Sequence, residues 1–181
     1  MTNPSSNTNT ALLIIDVQTA MFNEENPVHG HEELLERIGG LLGRARAGGI
    51  PVIYVQHNEG VGEELETGSP AWEIHTAIAP KDGEPRIQKF KPDSFEGTDL
   101  RDKLTAKGIS QLVIAGLQTD YCINATVTRA AELGYDVTVA GDAHSTWGQN
   151  GQSAEQIIEA HNARFSSFAR IQPSTAIIFE S

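Results

Sequence analysis

The chain has 181 residues, 39% hydrophobic and 20% charged, a balance that excludes a disordered chain and suits one domain. Its formal net charge of −11 is spread over both halves and repels nucleic acid and anionic membrane, so neither is expected as a partner. No apolar stretch approaches the roughly 20 residues of a membrane span, the polar start lacks a signal- or transit-peptide pattern, and the single cysteine makes no internal disulfide, which together predict a cytoplasmic protein.

Residues 1–9, rich in Asn, Ser and Thr, read as a disordered polar N-terminus ahead of one domain over 10–181. Residues 11–15 (ALLII) form a continuous apolar run that stops at Asp16, as in a strand buried on both faces. Leu34, Leu35, Ile38, Leu41, Leu42 and Ala45 recur at helical spacing and predict a helix over 31–47, stopped by Gly48 and Gly49. A second strand follows over 52–55. Residues 57–84 carry neither period and form a long loop of the kind that usually serves function. Residues 86–89 read as a third strand, and Thr98 or Asp99 caps a helix that Gly108 ends. Residues 111–115 (QLVIA) give a fourth strand. Thr119 or Asp120 caps the next helix, which runs to Leu133, and residues 135–139 give a fifth strand. Ser153 caps a last helix to about Phe165, with Ile171 and residues 176–179 as final strand candidates. The alternation predicts an α/β fold, a Rossmann-like three-layer sandwich with a mostly parallel sheet and helices on both faces.

Ligands of open α/β sheets bind beyond the carboxyl ends of the strands. Asp16 ends the first strand, Lys89 ends the third, and the turn 116–122 (GLQTDYC) joins the fourth to its helix. In a parallel sheet these ends are neighbours, so Asp16, Lys89 and Cys122 converge. A cysteine in the first helical turn beside a lysine is expected to favour the thiolate. Asp16 is placed to take its proton, and N–H groups of the tight turn to hold an oxyanion. The plain alternative is a small buried hydrophobe at Cys122 and solvated strand-end charges at Asp16 and Lys89. The coincidence of the three residue types at three sheet ends favours an acyl-transfer site.

Three segments resemble the isochorismatase-like cysteine hydrolases, whose members include nicotinamidases, N-carbamoylsarcosine amidohydrolases and streptothricin hydrolases. Residues 13–18 (LIIDVQ) resemble the first-strand motif, 116–122 the nucleophile motif, and 89–95 (KFKPDSF) the segment with the lysine; residues 141–145 (GDAHS) resemble the stretch after the fifth strand. The resemblance covers roughly residues 11–165. It implies a six-stranded parallel sheet, a catalytic triad of Asp16, Lys89 and Cys122, a non-proline cis peptide at Leu117–Gln118, and an oxyanion hole from the N–H groups of Gln118 and Cys122.

The cysteine points within that family to C–N hydrolysis through a thioester, since members that cleave a vinyl ether lack it. The expected substrate is a small amide, lactam or ureide, with no cofactor. Family nicotinamidases bind a metal through an Asp-x-His segment. Here residues 56–59 are Gln-His-Asn-Glu, so no metal is expected, although His57 and Glu59 could reach one. A metal-assisted nicotinamidase-type amidase and a non-enzymatic ligand-binding member are the alternatives. Residues 56–75 resemble streptothricin-hydrolase-like members. Gln18, Phe22, His57, Trp72, Tyr121 and His144 are the remaining candidates for the substrate pocket. Each also has a structural reading as core, loop or sheet packing. The apolar residues Val61, Leu65, Trp72 and Ile74 of the long loop need cover, and relatives of this type form dimers or tetramers. A homodimer or homotetramer with the 57–84 loop near the interface and over the site is therefore expected.

Overall fold

The apolar runs form the strands of one sheet. The computed structural model describes residues 9–179. In chain order the elements are β1 (Thr10–Ile15), α1 (His31–Ala47), β2 (Val52–His57), β3 (Arg86–Lys89), α2 (Leu100–Ala106), β4 (Gln111–Leu117), α3 (Asn124–Glu132), β5 (Asp136–Ser145), α4 (Ala154–Phe165) and β6 (Arg170–Gln172). The predicted disordered tail lies outside the described residues except for Asn9. The Asn9 carbonyl accepts the N–H groups of Ser110 and Gln111, each at 2.9 Å.

All neighbouring strands pair in parallel, in the order β3-β2-β1-β4-β5-β6. The alternation within each strand sorts side chains to two cores. Leu12, Ile14, Tyr54 and Val113 pack with Leu34, Ile38 and Leu41 of α1. Leu13, Ile15, Val55 and Ile114 pack on the other face with Leu100 of α2, Val127 of α3 and Phe165 of α4. The chain thus winds one way from β1 to β3 and the other way from β4 to β6. The reversal opens a crevice at the carboxyl ends of β1 and β4, where ligands of such sheets bind. Among the described residues no helix is long and apolar enough to cross a membrane.

Four local expectations are corrected. The helix predicted from Thr119 or Asp120 begins instead with a wide π-helical turn, Thr119–Ile123, before α3; Gln118 precedes it without a side-chain cap. The fifth strand runs on through residues 141–145, because a register shift after Ile114 lets Gly116 pair with His144 and Leu117 with Ser145. Residues 176–179 form no strand. Asp142 accepts the Ser174 N–H at 2.6 Å and draws the chain into the turn Ser174–Ala176, which buries Ile177 against the α1 side of the core. The loop 57–84 covers its own apolar residues: Leu65, Trp72 and Ile74 are buried within the chain. Their burial therefore needs no second subunit, and Val61, 92% exposed, is the loop's uncovered large apolar residue.

The crevice depends on a close approach at Gly116, which pairs with Ile15 in the sheet. Its φ is +130°, and a Cβ there would lie 2.1 Å from the Ile15 carbonyl oxygen. Gly116→Ala is expected to lower the free energy of unfolding by about 3 kcal/mol or more. Gly43→Ala in α1, where a Cβ meets nothing within 4 Å, serves as the control and is expected to raise stability by about 0.5–1 kcal/mol, as Gly-to-Ala does inside a helix. Urea unfolding of the two variants checks this, and equal midpoints would contradict the close approach.

Candidate active site

Asp16 follows β1 with φ 52°, a left-handed conformation rare for a residue with a side chain, while its N–H holds the Val55 carbonyl of β2 at 2.9 Å. Lys89 is the last residue of β3 and lies opposite His57, the last of β2. Cys122 sits in the π-helical turn after β4. Three strand ends and one turn thus meet at a single ammonium. Lys89 Nζ lies 2.9 Å from Asp16 Oδ2, 3.2 Å from Cys122 Sγ and 3.1 Å from His57 Nδ1. The Lys89 side chain is fully buried and that of Asp16 is 3% exposed. The ion pair is close, yet neither carboxylate oxygen of Asp16 has an aligned hydrogen-bond donor.

Burial governs the electrostatics. The Cys122 thiol is pushed up to about 12, first by burial and then by the Asp16 charge, with Lys89 opposing both. This shift runs against the thiolate expected from a helix N-terminus and favours the protonated sulfur. The turn explains the difference, because the sulfur lies in a wide turn inside the crevice rather than on an exposed first helical turn. Burial, and then Lys89, also push His57 below the ordinary histidine value.

The cluster opens into a cavity of about 450 Å³. Asp16, His57, Gln118, Tyr121 and Cys122 line it, and the peptide Leu117–Gln118 is cis. Gln18, Phe22, Trp72 and His144 do not line this cavity. Gln18 is fully buried; its amide donates to the carbonyls of His57 and Trp72 and accepts the His57 N–H at 3.0 Å. Phe22 packs on His75, with ring centroids 4.7 Å apart. The buried Trp72 indole donates to Asn58 Oδ1 at 2.5 Å, tying the long loop to the end of β2. The loop nonetheless walls the cavity through Glu59, Glu64 and Leu65.

Asp16, His57 and Cys122 each offer one possible metal-ligand atom, all within 4.8 Å of one another. Glu59 is not part of that group; its Oε2 accepts the Leu65 N–H at 2.8 Å. The Lys89 ammonium already touches all three ligand-bearing side chains and supplies the positive charge there. A metal ion would have to displace it, so these residues do not fit a resident cation.

Residues 10–171, from β1 through β6, match the isochorismatase domain. The chain belongs to the isochorismatase family. It is 36% identical over 137 residues to a streptothricin hydrolase of Streptomyces noursei, covering 76% of this chain and 50% of that protein. The chain thus spans about half the length of the streptothricin hydrolases it matches. It is 34% identical to the isochorismatase family protein YddQ of Bacillus subtilis, over 90% of this chain and 91% of that one. A crystal structure of an isochorismatase from Pseudomonas putida superposes with a TM-score of 0.89 at 29% identity, covering 98% of this chain and 94% of the other.

In this member of the isochorismatase family, His144 braces the turn that carries the cysteine. Asn162 Nδ2 donates to the Gly141 carbonyl, so its Oδ1 accepts from His144 Nε2 at 2.8 Å. Nδ1 is then the acceptor for the Thr119 hydroxyl, also at 2.8 Å. Asp120, expected as a cap, accepts instead from Thr146 and Gln149. The sequence reading missed Met21, Asn23, Asn26, Glu64 and Trp147 as cavity walls. Trp147 follows directly on the end of β5 at the ligand-binding edge, and that position was a usable signal; the others carry none.

Burial pushes His144 down to about 4. In the unfolded chain a histidine titrates near about 6.5. Because the folded value is depressed, the stability from neutral His144 is complete above about pH 6.5 and is lost as pH falls toward the folded value. The loss amounts to about 3 kcal/mol at most. Urea midpoints across that window should fall more steeply for the wild type than for His144→Gln, and equal slopes would contradict a buried neutral imidazole.

Proposed function

We propose that the protein hydrolyses the C–N bond of a small amide, lactam or ureide through a thioester on Cys122. The observation that carries this reading is the contact of the Cys122 sulfur, the Lys89 ammonium and the undonated Asp16 carboxylate on the floor of an open cavity. The substrate carbonyl lies against the N–H groups of Gln118 and Cys122, which serve as the oxyanion hole. The sulfur attacks the carbonyl carbon as its proton passes to Asp16. This transfer turns carboxylate into acid and thiol into thiolate, so the net charge of the buried cluster does not change. Lys89, in contact with both partners, keeps its pairing with whichever is negative. The tetrahedral adduct collapses, the C–N bond breaks, and Asp16 returns the proton to the departing nitrogen. Water then gives a proton to Asp16 and its oxygen attacks the thioester. The C–S bond breaks, the acid is released, and the sulfur regains the proton.

The high resting value of the thiol supports a proton transfer coupled to attack over a preformed thiolate. The cation already lodged at Lys89 supports a reaction without a metal. The kinship with streptothricin hydrolases supports a hydrolase.

Cys122→Ala is expected to abolish turnover with an unchanged fold. Asp16→Asn, which cannot accept the proton, is expected to lose a factor of about 10²–10⁴. Release of ammonia or amine from a panel of amides, lactams and ureides, with circular dichroism of each variant, checks both. An Ala variant that retains more than a few per cent of the rate would overturn the covalent route.

A further inference from the structure

The walls of the cavity carry a one-sided charge. Asp16, Glu59 and Glu64 line it, and no lysine or arginine does among the described residues. The one ammonium nearby, Lys89, is buried behind the floor and committed to Asp16, His57 and Cys122. Lys91, beside the lining residue Pro92, is exposed and does not line the cavity.

The segment 59–66 separates structural acids from free ones. Glu63 accepts the Gly60 N–H and Glu66 accepts the Gly62 N–H, each at 2.9 Å, so these two hold the loop together. Glu59 uses Oε2 on Leu65 and has Oε1 left over. Glu64 makes no hydrogen bond or ion pair among the described residues, although its neighbour Leu65 is buried and fixes its position. A second feature points to a ligand in the same cavity. The Asp16 carboxylate is nine-tenths buried and lines the space; its Oδ2 lies 2.9 Å from Lys89 Nζ, while Oδ1 has no hydrogen-bond partner and is open to an N–H from whatever binds.

We infer that the cavity selects cationic substrates: small amides, lactams or ureides that bear an ammonium or guanidinium group, held by Glu59 and Glu64 while the reacting carbonyl lies at Cys122. This rests on the hydrolase reading above and adds the charge of the substrate to it. Ala20, Met21, Leu65 and Trp147 supply apolar wall in the same cavity. The net charge of −11 adds a field of the same sign, so cations are drawn to this opening and anions repelled.

The single cysteine allows a test that does not depend on turnover. Methanethiosulfonates of similar size, one bearing a trimethylammonium and one a sulfonate, form a disulfide with Cys122 and release methanesulfinate. Their rates, each divided by the rate with a small neutral thiol, are compared at low salt. The cationic reagent should label faster by about tenfold or more, and Glu59→Gln with Glu64→Gln should cut that ratio about tenfold. An unchanged ratio in the double variant, or a wild-type preference for the sulfonate, overturns the inference. Failure of both reagents to label the folded protein, when they label it in urea, overturns it too, because such a cavity admits no ligand of this size. A parallel assay follows hydrolysis of matched amides with and without a terminal ammonium, for which the double variant should raise KM about tenfold more for the cationic member than for the neutral one. Glutamate-dependent labelling without hydrolysis of any amide would overturn the hydrolase reading and leave the cation preference standing.

Discussion

Lys89 is buried without any exposed side-chain surface, and an ammonium in that position is tolerated only with charge and hydrogen-bond partners around it. Its partners come from the end of β1, the end of β2 and the turn after β4. No two of them are close in sequence, so the cation is satisfied only when the sheet has its observed order. Removing one partner from a buried pair typically costs about 3–5 kcal/mol, because the other charge is left behind. The same constraint shapes the chemistry. A cluster that must stay balanced can move a proton between Cys122 and Asp16, but it cannot easily gain or lose one.

Several features keep the strand ends in place. The reversal of winding between β1 and β4 leaves the crevice, and Gly116 lets the two strands approach at its edge. Gln18 completes the end of β2 by exchanging two hydrogen bonds with the His57 backbone, as a paired strand would, and reaches the Trp72 carbonyl as well. On the far side, His144 holds Thr119 at the start of the π-helical turn. Residues that do not face the cavity thus fix those that do. An amide, an indole and a neutral imidazole serve here because each satisfies specific buried polar groups without adding charge.

The sheet and the three convergent residues were legible because they depend on patterns that survive in one dimension. Buried parallel strands read as apolar runs, α1 reads as a helical stripe ending at paired glycines, and polar residues at the carboxyl ends of parallel strands are neighbours by topology. The long loop was illegible because its order comes from side-chain bonds across distance, such as Trp72 to Asn58 and Gln18 to the Trp72 carbonyl, which leave no period. The resting state of Cys122 was illegible for another reason. A helix start predicts a low value, whereas burial and the adjacent Asp16 push the thiol up, and both are properties of the folded crevice. His144 and Gln18 were recognised as special residues but assigned to the wrong surface, since a buried polar side chain looks the same in sequence whether it faces a ligand or a backbone.

The cavity therefore has two kinds of wall. Its floor is made of buried groups whose positions are tied to the balance of one cation, and substitution there disturbs both folding and chemistry. Its rim is made of exposed side chains. Asn23 and Asn26 interact within their own short turn, Tyr121 reaches only to Gln149 at 3.4 Å, and Glu64 contacts no partner among the described residues. Surface substitutions of this kind usually change stability by no more than about 0.5 kcal/mol. A chain with this floor can thus change its rim with little effect on the sheet. Specificity in this chain is to be sought in the segments 23–26 and 59–65 rather than at the strand ends.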